Sequence, residues 1–85
     1  MKNFTYTITD SDGIHARPAG ILVKKASLYS SDITISFAEK TADAKRIFAV
    51  MGLGIKKGDT ILVSVSGEDE DIALSELYEF FKENL

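Results

Sequence analysis

The heptapeptide Thr60-Ile61-Leu62-Val63-Ser64-Val65-Ser66 constrains the fold of this 85-residue chain more than any other stretch. Ile61, Val63 and Val65 lie on one side of an extended backbone, and β-branched residues at alternate positions favour a strand. Phe4-Thr5-Tyr6-Thr7-Ile8 and Ile33-Thr34-Ile35-Ser36-Phe37 alternate in the same way. Lys40 to Ala44 is expected to pair as a further strand after an Ala38-Glu39 turn, although that turn lacks the Gly or Asn of a tight hairpin. Asp10-Ser11-Asp12-Gly13 and Lys56-Lys57-Gly58-Asp59 read as turns.

Strands with one apolar face need a layer to cover it. From Ala16 to about Tyr29, Ala19, Leu22, Val23 and Ala26 recur at helical spacing, with Lys24 and Lys25 off that stripe. Pro18 falls in the first turn, where its missing N–H costs little. Ser30-Ser31-Asp32 breaks this helix. Ile47, Val50 and Met51 predict a short helix ending near Gly52 or Gly54. Glu68-Asp69-Glu70-Asp71 places four acids at the start of a last helix, the end where they favour the dipole. Ile72, Leu74, Leu77, Tyr78 and Phe81 are predicted as its apolar face. The order β-α-β-β-α-β-α gives an α+β open-faced sandwich, a four-stranded antiparallel sheet covered on one face by three helices. With no linker, repeat or low-complexity segment, residues 1–85 read as a single domain.

Composition removes several function classes. With no cysteine and one histidine, neither disulfides nor a thiolate or histidine-cluster metal site is expected. A net charge of −3 is a poor match for nonspecific nucleic-acid binding. Met1-Lys2-Asn3-Phe4-Thr5 lacks the apolar core of a signal peptide, and no apolar run approaches the ~20 residues of a bilayer span. The expectation is a cytoplasmic protein without membrane insertion.

The single histidine and the single proline lie together in Gly13-Ile14-His15-Ala16-Arg17-Pro18-Ala19-Gly20. His15 precedes a helix whose first turn has N–H groups without intrahelical partners. Pro18 removes one; those of Ala16 and Arg17 remain. Such a terminus attracts phosphate and disfavours imidazolium by about 0.3–1 kcal/mol, which keeps imidazole nucleophilic. Arg17 adds charge-assisted hydrogen bonds to phosphate oxygens. Nucleophile, cation and helix terminus together make a phosphoryl acceptor site, and nothing nearby in sequence suits a nucleotide, cofactor or metal. The bland alternative is a solvated histidine before a helix.

Gly13-Ile14-His15-Ala16-Arg17-Pro18-Ala19 resembles the active-site signature of the HPr family, the histidine-containing phosphocarriers of the bacterial sugar phosphotransferase system. Ala44-Lys45-Arg46-Ile47-Phe48-Ala49-Val50-Met51-Gly52-Leu53-Gly54-Ile55 resembles the segment after that family's third strand. The resemblance covers essentially the whole chain. It implies that enzyme I, charged by phosphoenolpyruvate, phosphorylates His15 on Nδ1, and that the group passes to a sugar-specific enzyme IIA domain. By the same resemblance Arg17 supports the phosphohistidine, and the Ala16 and Arg17 N–H groups hold its oxygens. Gly20, Lys24, Lys45, Ile47, Phe48 and Met51 carry over as the partner-binding surface, and a basic rim of Lys24, Lys25, Lys45 and Arg46 would steer an acidic partner. A monomer is the default for a carrier that shows one face to two partners in turn.

Three positions depart from the family pattern. Arg46 stands where many relatives carry a regulatory serine, so phosphorylation by the dedicated kinase is not expected. Asp12 replaces a usual Ser or Asn; its carboxylate would repel a phosphoryl group if turned inward, unless it pairs with Arg17 at rest. Gly20 replaces Ala or Thr, at a helix cost of roughly 0.5–1 kcal/mol relative to Ala. The alternatives to a sugar-system carrier are a regulatory binding module on the same fold and a paralogue serving a nitrogen-related relay.

Overall fold

In a computed structural model describing residues 1–85, the chain runs β1 (Lys2–Thr7), α1 (Ala16–Ala26), β2 (Asp32–Phe37), β3 (Lys40–Asp43), α2 (Ile47–Met51), β4 (Thr60–Ser66) and α3 (Glu70–Asn84). The four strands form one antiparallel sheet in the order β1-β4-β2-β3. The α+β open-faced sandwich expected from the sequence is therefore the observed architecture.

The alternation in β4 explains why that strand is central. Ile61, Val63 and Val65 are all fully buried. Register places Phe4 and Tyr6 of β1 opposite Val63 and Ile61, and Ile33 and Ile35 of β2 opposite Val65 and Val63. One face of the sheet is thus continuously apolar, and the helices lie on it. Ala19, Leu22 and Ala26 of α1, Val50 of α2 and Leu77 and Phe81 of α3 are buried there. The Phe81 ring meets Phe4 and Tyr6 edge-on, with centroids 5.7 and 5.6 Å apart, a geometry that adds to area burial.

Two helix expectations need correction. α1 ends at Ala26, not near Tyr29. The Leu28 and Tyr29 N–H groups donate to the carbonyls of Lys25 and Ala26, three residues back, which tightens the chain out of the α-helix. Tyr29 is thereby buried, with its hydroxyl donating to Glu76 of α3. In α3 the buried stripe is Ala73, Leu77, Phe80 and Phe81, while Ile72 is 59% exposed, Tyr78 is exposed and Leu74 is half-buried. These positions recur at i, i+4, i+7 and i+8. The small Ala73 lets the helix approach the sheet, whereas the larger Ile72 and Tyr78 flank the stripe.

The β2–β3 hairpin forms around a two-residue loop, since Phe37 pairs with Lys40. Ala38 and Glu39 both adopt positive φ, at 50° and 66°. That is the conformation of a tight hairpin turn, achieved without the residues that favour it.

Candidate functional site

The loop before α1 is held from several directions. The Asp10 carboxylate accepts the Asp12 N–H at 2.9 Å, and the Asp10 carbonyl accepts the Gly13 N–H at 3.0 Å. The Thr9 and Asp10 N–H groups both donate to the Leu85 carbonyl, at 2.6 and 2.9 Å. Ile14, buried, donates its N–H to the Ile55 carbonyl at 3.1 Å. Gly13 has φ +67°, and a Cβ there would lie 2.4 Å from the Ile55 carbonyl oxygen. Only glycine fits both that backbone conformation and that approach.

His15 is the N-cap of α1. Its backbone is extended, with φ −100° and ψ −172°, and its carbonyl accepts the first helical bond from Ala19 N–H at 2.9 Å. The imidazole does not cap the helix. Its side chain is 43% exposed, and its ion-pair partner is Asp12, with Nε2 4.0 Å from Oδ2. The N–H groups of Ala16 and Arg17 point out of the first turn without helical acceptors, and no acidic residue occupies that turn. The positive end of α1 is therefore not neutralised from within the helix. Arg17 is exposed and takes part in none of the six ion pairs of the chain.

The resting pair of Asp12 and Arg17 weighed from sequence does not form; the Asp12 carboxylate lies toward His15. An open depression of about 340 Å³ is lined by Asp10, Asp12, His15, Arg17, Pro18, Ile21, Glu83 and Asn84. Donor atoms of Asp10, Asp12 and His15 lie within 4.8 Å of one another, a spacing that a divalent cation can span. The sequence reading expected no metal-binding group next to His15. The turn brings two carboxylates to it, although none of the three is buried.

The expected docking residues divide into two groups. α1 packs beside α2, and Gly20 faces Ile47, whose Cδ1 would lie 3.7 Å from an added Cβ. Phe48 is 84% exposed, flanked by half-buried Ile47 and Met51. Ile21, exposed and off the buried stripe of α1, lines the depression. Lys24 and Arg46 are exposed. Lys45 departs from expectation: its ammonium donates to the Tyr29 carbonyl at 2.8 Å, which ties it to the turn that follows α1. Lys25 also leaves the basic rim. Its Nζ lies 3.6 Å from Glu76 and 5.7 Å from the Tyr29 ring centroid.

Asp10, Ile21, Glu83 and Asn84 were not singled out from the sequence. Ile21 carried a usable signal, an aliphatic residue on the solvent side of a helix. Glu83 and Asn84 carried none, because only the docking of α3 brings them beside His15.

A family model for the PTS HPr component phosphorylation site matches residues 2–83. The chain belongs to the HPr family. It is 47% identical over 77 residues to a phosphocarrier protein HPr of Lysinibacillus sphaericus, covering 91% of this chain and 88% of that protein. The histidine-containing phosphocarrier protein of Mycoplasma superposes with a TM-score of 0.93 at 40% identity, covering 96% of this chain and 93% of that one. An HPr of Thermoanaerobacter tengcongensis gives 0.94 at 36% identity, covering 99% and 94%. The HPr fold seen in those structures is the fold described above. Among the helices of this HPr-family chain, none is long and apolar enough to cross a membrane.

Proposed function

We propose that this chain is a phosphoryl carrier of the phosphotransferase system that accepts the group on His15 from phosphorylated enzyme I. It then gives the group to enzyme IIA domains of sugar permeases. The observation that carries this reading is the placement of His15: an accessible imidazole without hydrogen bonds, at the N-cap of a helix whose first two N–H groups are free. In the forward step the Nδ1 lone pair attacks phosphorus while the bond to the donor atom breaks, its electrons returning to the donor. The Ala16 and Arg17 N–H groups and the Arg17 guanidinium bind the phosphoryl oxygens. In the next step the acceptor takes phosphorus and the electron pair returns to Nδ1. The chain is regenerated, so it acts as a relay intermediate and not as an enzyme, and no cofactor enters.

Ile47, Phe48 and Met51 form the apolar part of the docking surface, bordered by Gly20, and Ile21 adds an exposed aliphatic side chain at the depression. Lys24, Arg17 and Arg46 supply its positive charge. The protein works as a cytoplasmic monomer, and Arg46 removes control by serine phosphorylation. Incubation with phosphoenolpyruvate and purified enzyme I should add one acid-labile phosphate, read by intact mass. No addition, or addition that persists in His15→Ala, would refute the carrier role.

A further inference from the structure

We propose that Asp12 is a positioning residue that holds the Nε2 proton of His15 and so leaves Nδ1 unprotonated as the nucleophile. The inference rests on the carrier reading for its significance, but not for its test. Neutral imidazole carries one proton on either nitrogen, and the partner of one nitrogen decides which. Here Asp12 Oδ2 lies 4.0 Å from Nε2, and no hydrogen bond engages either ring nitrogen. A carboxylate can only accept, so it favours the tautomer with hydrogen on Nε2.

The approach of Asp12 to His15 is built into the backbone. The turn closed by Asp12 N–H and Gly13 N–H on Asp10 fixes the Asp12 Cβ. Gly13 then allows the chain to pass against Ile55 and enter α1 at His15. The Asp12 side chain accepts no backbone N–H, so the fold does not use its carboxylate. Other charges around the depression are Asp10, Arg17 and Glu83. Asp10 also brings a carboxylate oxygen within 4.8 Å of the ring, but it spends one oxygen on the Asp12 N–H and forms no ion pair with His15, while Arg17 forms no ion pair with any carboxylate.

The same contact has a second consequence. When Nδ1 takes the phosphoryl group with hydrogen retained on Nε2, the ring becomes positively charged. Asp12 then faces the proton that carries this charge. The carboxylate opposes an inward phosphoryl oxygen by repulsion, yet supports the ring that bears it.

The test uses the full chain with 15N-labelled histidine. Long-range proton–nitrogen correlation spectra of the neutral imidazole report the ratio of the Nε2–H to the Nδ1–H tautomer. For an exposed pair of this kind, Asp12→Ala should lower that ratio about two- to fivefold. Asp12→Glu should recover part of the loss. The initial rate of phosphoryl acceptance from enzyme I should fall by a similar factor in Asp12→Ala, with the urea midpoint unchanged because the carboxylate is 75% exposed. An unchanged tautomer ratio in Asp12→Ala overturns the proposal, whatever happens to the rate. Failure of His15 to accept phosphate would defeat the carrier reading instead, and the tautomer ratio would still decide the role of Asp12.

Discussion

The Asp69 carboxylate accepts both the hydroxyl and the N–H of Ser31, the latter at 3.0 Å, and also the Ser30 N–H at 2.8 Å. Ser31 is 1% exposed, so this contact satisfies a buried hydroxyl where the chain leaves α1 and joins the start of α3 to it. The Ser31 hydroxyl foremost, then the Ser30 N–H, holds the Asp69 carboxyl below its ordinary value. A depressed folded value means stabilisation that is fully present above the unfolded carboxylate range, near pH 4, and is lost as pH falls through the folded value. Asp69→Asn imitates the protonated acid. Urea midpoints should therefore be lower for the variant at pH 6, and the gap should close toward pH 2. An equal gap at both pH values would show that the ionised form has no special place.

The β2–β3 turn holds Ala38 and Glu39 in the left-handed region, where a side chain costs roughly 1–2 kcal/mol per residue. Asn and Gly are the residues that such a turn favours. The double change Ala38→Asn, Glu39→Gly should raise stability by about 1–2 kcal/mol in chemical denaturation. Because the turn is remote from His15 in sequence and sits on the β3 edge of the sheet, with β4 and β2 between it and the β1 edge that leads to His15, phosphoryl acceptance should not change.

Arg46 is the N-cap of α2, with extended backbone and no side-chain cap. A serine there accepts a free N–H of the first turn and typically contributes about 1 kcal/mol. Arg46→Ser should therefore raise the thermal midpoint. The same change removes an exposed cation from the docking face and should slow association with enzyme I at low salt, with the difference fading as salt rises. Stability and association should move in opposite directions. A variant whose thermal midpoint does not rise would refute the capping argument.

Phe48 and Lys45 should exchange roles relative to a simple reading of their types. Phe48→Ala removes a largely exposed ring and should leave stability within about 0.5 kcal/mol. Acting as an interface anchor, it should weaken the apparent KM for enzyme I at least about tenfold. Lys45→Met removes the hydrogen bond to the Tyr29 carbonyl and should cost about 1 kcal/mol of stability, with little effect on KM. Equilibrium unfolding and steady-state transfer separate the two.

Much of this was legible because period-2 and period-3.6 patterns survive in a small protein with one buried layer. β4 was read to its final boundaries from Ile61, Val63 and Val65, and the β-α-β-β-α-β-α order followed. In α3 the expected Leu77 and Phe81 are buried, but Ile72 and Tyr78 are exposed and Ala73 and Phe80 take their place in the stripe. Ala73 faces the sheet for being small, and Ile72 does not, although it is the more hydrophobic of the two. Around His15, sequence adjacency revealed Arg17 and the helix terminus. It could not reveal Lys45 turning to Tyr29, nor Glu83 reaching the depression, since both depend on contacts between segments far apart in the chain. The proximity of Asp12 to His15 was foreseeable; its preference for the imidazole over Arg17 required the turn geometry.

His15 follows a residue whose amide is tied to Ile55, and the loop before it hangs on the Leu85 carbonyl. These attachments belong to the end of α3 and to the segment between α2 and β4, not to the loop itself. The working geometry therefore has no hinge, and it keeps time with the whole molecule. Hydrogen exchange at the Ile14 amide should be as slow as at the centre of β4. Warming should erase transfer competence on the same curve that erases the sheet.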